Sequence, residues 1–276
     1  MRQKWILVTA GLGSDDIQCA AQRVASDASQ FDIFSQIIVL SNDNIDKLCP
    51  TVTSVYSPIL NSKTRGYGYM SWKAEIVYRT LLENPENCVV VWIDAGCEVS
   101  PSVFTRLKFM KLLNTASSDG YLFFELNTKE NQFTKRELYY EFPSLDISDT
   151  KPQAQTTFFA LAGSTGIKIA ARWFEIVVKS EIYINEELKS KQAPNFIEHR
   201  HDQSIFSLVL KELGYQANLS PLRNGQNGKF SKYLTFILDP VIAARNRYGV
   251  SIAPTCIRRV GIFSLIIFKS PLDWNS

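Results

Sequence analysis

Histidine and cysteine are both scarce in this chain of 276 residues, and each scarcity excludes something. The five cysteines (Cys19, Cys49, Cys88, Cys97, Cys256) are odd in number and widely spaced, with no CxxC pair. That pattern argues against a zinc ribbon and against a disulfide framework, and it suits a reducing cytosol. The two histidines, His199 and His201, stand together beside Glu198 and Asp202, so imidazole chemistry has one address in the chain. No apolar run approaches the roughly 20 residues that span a bilayer. The opening MRQKWILVTAGLG has a basic start, but Thr9 and Gly11 interrupt its short apolar run, and it reads as a first strand rather than a leader. Repeats and low-complexity tracts are absent, and the composition is that of an ordinary globular protein.

Charge is nearly balanced overall, with a net +3, but unevenly spread. From Pro221 onward there are eight Lys/Arg against two Asp/Glu, whereas residues 1–220 carry 22 against 25. The basic tail predicts an anionic partner, a membrane surface or a pyrophosphate before a nucleic acid. Leu219 to Lys232 is rich in Gly, Asn and Pro and reads as a loop or domain edge. Residues 1–218 are therefore expected to form an α/β domain, and residues 219–276 a basic extension. Beyond Arg245, Arg247, Arg258 and Arg259, the nine-residue run Val260 to Phe268 is too short to span a membrane. It suits either a peripheral anchor or a last element packed on the body.

In chain order, Trp5 to Ala10 reads as a strand, Asp15 to Ala28 as a helix and Ile37 to Leu40 as a second strand, a β-α-β opening that predicts a parallel sheet. Gly11-x-Gly13 after the first strand lacks the third glycine of a dinucleotide fingerprint, since Asp16 takes its place; a tight strand-to-helix turn accounts for it. Ser41 to Asp46 is a polar loop, placed to meet a base or ribose or else to cap a short helix. Later come a helix from Pro101 to Leu113, a strand from Tyr121 to Leu126, and a polar irregular stretch from Asn127 to Gln155. A strand from Phe158 to Ala162 and a helix from Lys168 to Glu181 follow.

The chain is organised around Arg65 to Ser100, RGYGYMSWKAEIVYRTLLENPENCVVVWIDAGCEVS. Ala74, Val77, Tyr78 and Leu81 fall on one helical face, with Glu75 four residues before Arg79. Asn84-Pro85 stops that helix. CVVVWI (Cys88 to Ile93) has no alternation, so a strand covered on both faces is expected, with Asp94-Ala95-Gly96 at its carboxyl end, where open α/β sheets bind ligands. Glycines 66 and 68 let a backbone approach a ligand, and Tyr67 and Tyr69 offer stacking; a surface turn is the plain alternative. A second segment, EHRHDQSIFSLVLKEL (Glu198 to Leu213), heads a helix with Phe206, Val209, Leu210 and Leu213 inward and Gly214 at the C′ position. Asp202 there suits a helix cap, a reacting carboxylate, or both.

RGYGYMSWK, a helix, then VVVWIDAGCEV resembles the donor-site core of GT-A-type nucleotide-sugar glycosyltransferases, nearest to bacterial enzymes of O-antigen and capsular polysaccharide synthesis. The resemblance implies a GT-A-like, mostly parallel sheet flanked by helices, and transfer of a sugar, a hexose above all, from a nucleotide diphosphate donor to a saccharide or lipid-linked acceptor. It implies donor contacts at Thr9, Ala10 and Gly11, at Arg65 and Lys73, and at Asp94, Ala95 and Gly96. Asp202 and Gln203 become the catalytic candidates, and Asp94, His199 and His201 the candidates for Mn²⁺ or Mg²⁺. The region after the strand at Tyr121 to Leu126 is implied to shape the acceptor site. One departure stands out: Gly96 occupies the second position of the Asp-x-Asp motif, and Glu98 lies two residues further on. A Rossmann-type oxidoreductase and a non-catalytic carbohydrate-binding protein are the competing readings. The first lacks its glycine fingerprint.

Overall fold

The computed structural model describes residues 3–85, 87–148, 150–218, 239–246 and 249. The chain opens with β1 (Lys4–Gly11), α1 (Asp15–Ser29), β2 (Gln36–Ser41), α2 (Ile45–Leu48) and α3 (Pro50–Tyr56). A single short coil, α4 (Gly66–Tyr69), precedes α5 (Trp72–Glu83), β3 (Cys88–Ile93), β4 (Glu98–Val99) and α6 (Val103–Asp119). Then come β5 (Tyr121–Leu122), β6 (Glu125–Lys129), α7 (Glu130–Phe133), α8 (Arg136–Tyr139), β7 (Pro152–Ala154) and β8 (Phe158–Ala162). The described chain continues through α9 (Gly163–Lys179), α10 (His201–Glu212) and β9 (Val241–Ile242).

The main sheet has the order β2-β1-β3-β8-β5. β1 pairs in parallel with β2 and β3, while β8 runs antiparallel to both β3 and β5. Four strands therefore point one way and β8 points back. This reversal matters for the site, because it brings the start of β8 to the carboxyl end of β3.

All six residues of β3 are buried, which explains its unbroken apolar run. Val90 and Trp92 face the layer built by α5, α9 and α10, with Ala74, Val77, Ile169, Trp173 and Phe206. Val89, Val91 and Ile93 face the layer of α1 and α6, with Val24, Ala28, Phe109 and Leu113. Each such side chain contributes roughly 1.5–3 kcal/mol on burial, so the central strand is the most firmly held part of the sheet.

The elements depart from expectation in informative places. The expected strand over Tyr121 to Leu126 divides into β5 and β6, which join different sheets. The stretch from Asn127 to Gln155 is not structureless but carries α7, α8 and β7. Helix α9 begins five residues earlier than expected, at Gly163, with φ +56 there. Glu75 does not pair with Arg79; its buried carboxylate accepts the backbone N–H groups of Thr51 (3.0 Å) and Val52 (2.7 Å), satisfying donors at the start of α3. The end of α10 is as expected: Gly214 (φ +77) donates to Lys211 O and Tyr215 to Leu210 O, a Schellman closure.

Residues 239–246 of the basic extension are built onto the body. β9 pairs with β4, and the Asn246 amide donates to Gly96 O at 2.9 Å. The Leu219 to Lys232 stretch, Arg247, Arg258, Arg259 and the Val260 to Phe268 run lie outside the described residues. Cys19, Cys49, Cys88 and Cys97 are free thiols. Among the described residues no helix is long and apolar enough to cross a membrane.

Candidate active site

Asp94 leaves β3 at its carboxyl end, and its backbone N–H donates to Thr157 O at the approach to β8 (2.9 Å). From the first turn of α5, Lys73 reaches under it; from the first turn of α10, Asp202 arrives on the other side. Lys73 Nζ lies 3.0 Å from Asp94 Oδ1, 3.1 Å from Asp202 Oδ2 and 3.4 Å from Thr156 O. The Asp202 contact is an ion pair that falls off the hydrogen-bond direction, since Oδ2 has no well-aligned donor. Trp92 Nε1 donates to the same Asp94 Oδ1 at 2.6 Å, and the ammonium sits 5.0 Å from the centre of the Trp92 ring.

Exposure separates the three charges. The side chains of Lys73 and Asp202 are 3% and 2% exposed, whereas Asp94 keeps 35% of its surface open. Burial works against the Lys73 ammonium, but Asp202 and then Asp94 outweigh it, and its pKa lies above the usual value. Burial pushes the Asp202 carboxyl up; Lys73 opposes this, and Asp94 adds to it. Asp202 is not the cap of α10. Arg200 holds the N-cap position, and Asp202 lies inside the helix, in its first turn.

Gly66 through Met70 all have positive φ, from 53 to 90°. Only Gly takes such angles without strain, and Tyr67, Tyr69 and Met70 each cost about 1–2 kcal/mol there. The turn is held by Trp72 Nε1, which donates to the carbonyls of Gly66 and Tyr67 (both 3.2 Å). Tyr69 lies tilted on the His201 ring, 4.8 Å between centres. His201 (φ 49) and Arg245 (φ 55) are also left-handed, while Asp32 (φ 53) and Asn87 (φ 49) take the same conformation at the opposite end of the sheet.

Arg65, Arg200 and Arg245 lie close enough to influence one another. Arg65, half exposed, pairs with Glu198 (3.5 Å) and at the limit with Glu186 (4.0 Å). Arg200 lies 3.6 Å from the Phe133 ring centre. Burial lowers its pKa, Glu198 counters this, and the charges of Arg245 and Arg65 lower it further. The sequence assigns Arg200 no role, and it gives Arg245 only as part of the basic tail expected to meet an anion. Arg200 sits inside the quoted second segment, but Arg245 is 149 residues beyond Gly96 in a tail with no motif.

Several expected donor contacts have other employment. Lys73 is enclosed by three oxygens and does not reach the surface where a diphosphate would lie. The Thr9 side chain is fully buried and Ala10 nearly so. Gly11 serves helix packing: a Cβ there would stand 2.5 Å from Ile17 O and 2.7 Å from Gln18 Cα. Ala95 is buried, and its carbonyl accepts from Arg23 Nη2 at 2.9 Å. Gly96 is half-buried, with the Arg245 backbone 3.6 Å from where a Cβ would stand. Glu98 turns away from Asp94 into a buried pair with Arg23 (3.1 Å) and a hydrogen bond from Asn246 (2.5 Å). Gln203 donates to Gln153 Oε1 at 2.7 Å. In the polar loop after β2, Asn42 exchanges hydrogen bonds with the Gly13 backbone, and Asn44 bonds Ser41 N and Val39 O.

Asp94, His199 and His201, as placed, do not form a metal shell. His199 has both ring nitrogens engaged, Nε2 with Tyr183 O (2.8 Å) and Nδ1 with Lys135 N (3.5 Å). His201 Nδ1 bonds Ile184 O at 2.6 Å, and its Nε2 is buried without a partner, 3.9 Å from Glu186. Burial lowers His199 well below the usual imidazole range, and His201 to about 4. Both rings are therefore neutral at pH 7. Among the described residues no three His, Cys, Asp or Glu side chains converge on one point.

A concavity of about 710 Å³ lies at the opposite end of the sheet, lined by Gln3, Lys4, Asp32, Phe34, Asn84 and Asn87 among others. It contains none of the coupled charges described above, and in such sheets ligands bind at the carboxyl ends of the strands. The Asp94 end is the better candidate.

No protein family and no curated protein matches the chain. Among solved structures it is similar to mouse xyloside xylosyltransferase 1 in its apo form, at 10% identity and a TM-score of 0.41, over 90% of this chain and 100% of that one. It is likewise similar to a glycosyltransferase involved in glycosylation of the major capsid of PBCV-1, at 9% identity and 0.41, over 96% and 99%. A third is the apo structure of the bifunctional glycosyltransferase WbbM, at 13% and 0.43, over 95% of this chain and 52% of that one. Likenesses this distant assign no role to any residue of the chain.

Proposed function

We propose that the chain is a glycosyltransferase that moves a sugar from a nucleotide diphosphate sugar to a saccharide or lipid-linked saccharide in bacterial surface polysaccharide synthesis. The observation that carries this reading is Asp94, a rigidly held, part-open carboxylate at the carboxyl end of the central strand, inside the segment that resembles the donor site of such enzymes. Its open oxygen would accept a hydroxyl of the donor. Arg65 and Arg245 stand close enough to Arg200, two residues before Asp202, to lower its pKa, and such a cluster of positive charge would help to neutralise a departing diphosphate. Gln203, partly exposed on the first turn of α10, would orient the transferred sugar. The divalent cation that the resemblance implies finds no shell in Asp94, His199 and His201, and no step here is routed through one.

A cytoplasmic, peripheral location goes with a lipid-linked acceptor, and the basic composition after Pro221 supports it. The deciding experiment is a donor screen: nucleoside diphosphate release from a panel of UDP-, GDP-, CDP- and dTDP-sugars, for the wild type and Asp94→Asn. Release from at least one donor, lowered about 100-fold by Asp94→Asn, is expected. No release from any donor, together with stabilisation by NADH in thermal unfolding, would favour an oxidoreductase instead.

A further inference from the structure

We propose that Lys73 and Asp202 are a buried positioning pair that fixes the carboxylate of Asp94, and that Asp202 acts on the reaction only through Lys73. The inference rests on the donor-site reading of Asp94 and reassigns the two residues behind it.

A lysine has three N–H donors and no acceptor. Three oxygens surround Nζ: Asp94 Oδ1, Asp202 Oδ2 and Thr156 O, at 3.0, 3.1 and 3.4 Å. With its side chain 3% exposed and enclosed by these oxygens, it has no path to a bound phosphate. Asp202, 2% exposed, is equally cut off from any substrate. What the pair can reach is one atom of the open residue, Asp94 Oδ1. The Trp92 indole reaches that same atom from β3. Two donors from two elements on one oxygen hold the carboxylate plane and leave Oδ2 for a ligand.

Asp202 supplies the second half of the arrangement. A buried lysine with a single part-open partner would be poorly compensated, and a buried aspartate with none worse. Together they leave the group of three with one net negative charge, carried at its exposed member. The first turn of α10 also favours an anion at Asp202 through the helix dipole. Gly96 offers no carboxylate beside Asp94, and Glu98 is taken up by Arg23, so neither helps to hold it.

A double-mutant cycle separates positioning from direct chemistry. Turnover and KM are measured on the donor found by the screen, for Lys73→Met, Asp202→Asn and the double variant. Each single change is expected to lower kcat about 30- to 100-fold with KM moving less than about threefold, and the double variant to be no slower than the worse single one. Losses that multiply would overturn the proposal, because Asp202 would then touch the substrate itself. The indole N–H resonance of Trp92, assigned with Trp92→Phe, is a readout that needs no substrate. It is expected to move in both single variants, and to move least in Lys73→Arg, which keeps the charge. If Lys73→Met does not fold, Asp202→Asn and Lys73→Arg carry the same readout. An unmoved resonance overturns the pair whatever the donor screen returns. A moved resonance with no donor turned over sinks the glycosyl-transfer reading and supports the pair.

Discussion

Gly11→Ala tests whether the glycine after the first strand serves the fold or the ligand. The added methyl would stand 2.5 Å from Ile17 O, 2.7 Å from Gln18 Cα and 2.9 Å from Ala21 Cβ. Carbon contacts settle near 3.5–4.0 Å, so about 1 Å must be found. The two nearest obstacles are backbone of α1, which cannot turn aside like a side-chain tip. Helix α1 must therefore lift from β1, loosening Val24 and Ala28 against Leu7 and Val91. Overpacking of this kind costs about 1–3 kcal/mol, offset by a few tenths to 1 kcal/mol for the stiffer unfolded chain. A net loss of about 1.3 kcal/mol should lower Tm by roughly 3–5 °C in a chain of this size. Urea unfolding followed by far-UV circular dichroism would read it, with Gly96→Ala as control, since the nearest atom there is 3.6 Å away. The control is expected within about 0.5 kcal/mol of wild type. Gly11→Ala with wild-type stability and lost nucleotide binding would refute the packing argument and restore this glycine to the donor site.

Other consequences are as accessible. Asp202→Asn removes one of two counter-charges from buried Lys73 and should destabilise by about 1.5–3 kcal/mol in urea unfolding; a change below about 0.5 kcal/mol would show that the pair is not sealed from water. Burial draws the Lys135 ammonium down to about 8, from an ordinary value of 10.5. Below pH 8 it is charged in both states and the burial penalty is present in full; between about 8 and 10.5 only the unfolded chain keeps the proton, so stability should rise with pH in that window. The rise should vanish in Lys135→Met, and a wild type that tracks the variant from pH 7 to 10 would contradict it. Glu75→Gln should cost about 1–2 kcal/mol by weakening the two hydrogen bonds at the start of α3, whereas Arg79→Ala should be nearly silent. Vesicles rich in anionic lipid should bind the full chain at low salt and release it at 0.5 M, a concentration at which screening acts within a few ångströms; equal binding to neutral vesicles would remove the electrostatic basis.

Much of the scaffold could be read from the chain because it depends on local pattern. The unbroken run CVVVWI required cover on both faces, and β3 has it. Asn84-Pro85 ended α5, and Gly214 closed α10 in a Schellman turn, because proline and left-handed glycine act within a few residues of themselves. Asp94 at the end of the central strand followed from the same logic. Side-chain partners did not follow, since they depend on which elements the fold brings together. Lys73 and Asp202 are 129 positions apart, and only the docking of α5 and α10 on one face of the sheet turns an expected donor contact and a candidate cap or catalytic carboxylate into an ion pair. The reversed strand β8 adds Thr156 O to that group for the same reason. Glu75 was paired by spacing with Arg79, yet tertiary contact gave it the open end of α3, where it accepts two N–H groups left unsatisfied by the helix. Local sequence sets where elements begin and end. Charge pairing between distant segments is decided by burial, because once water is excluded each charged group must find its counter-charge among whatever the tertiary fold places beside it.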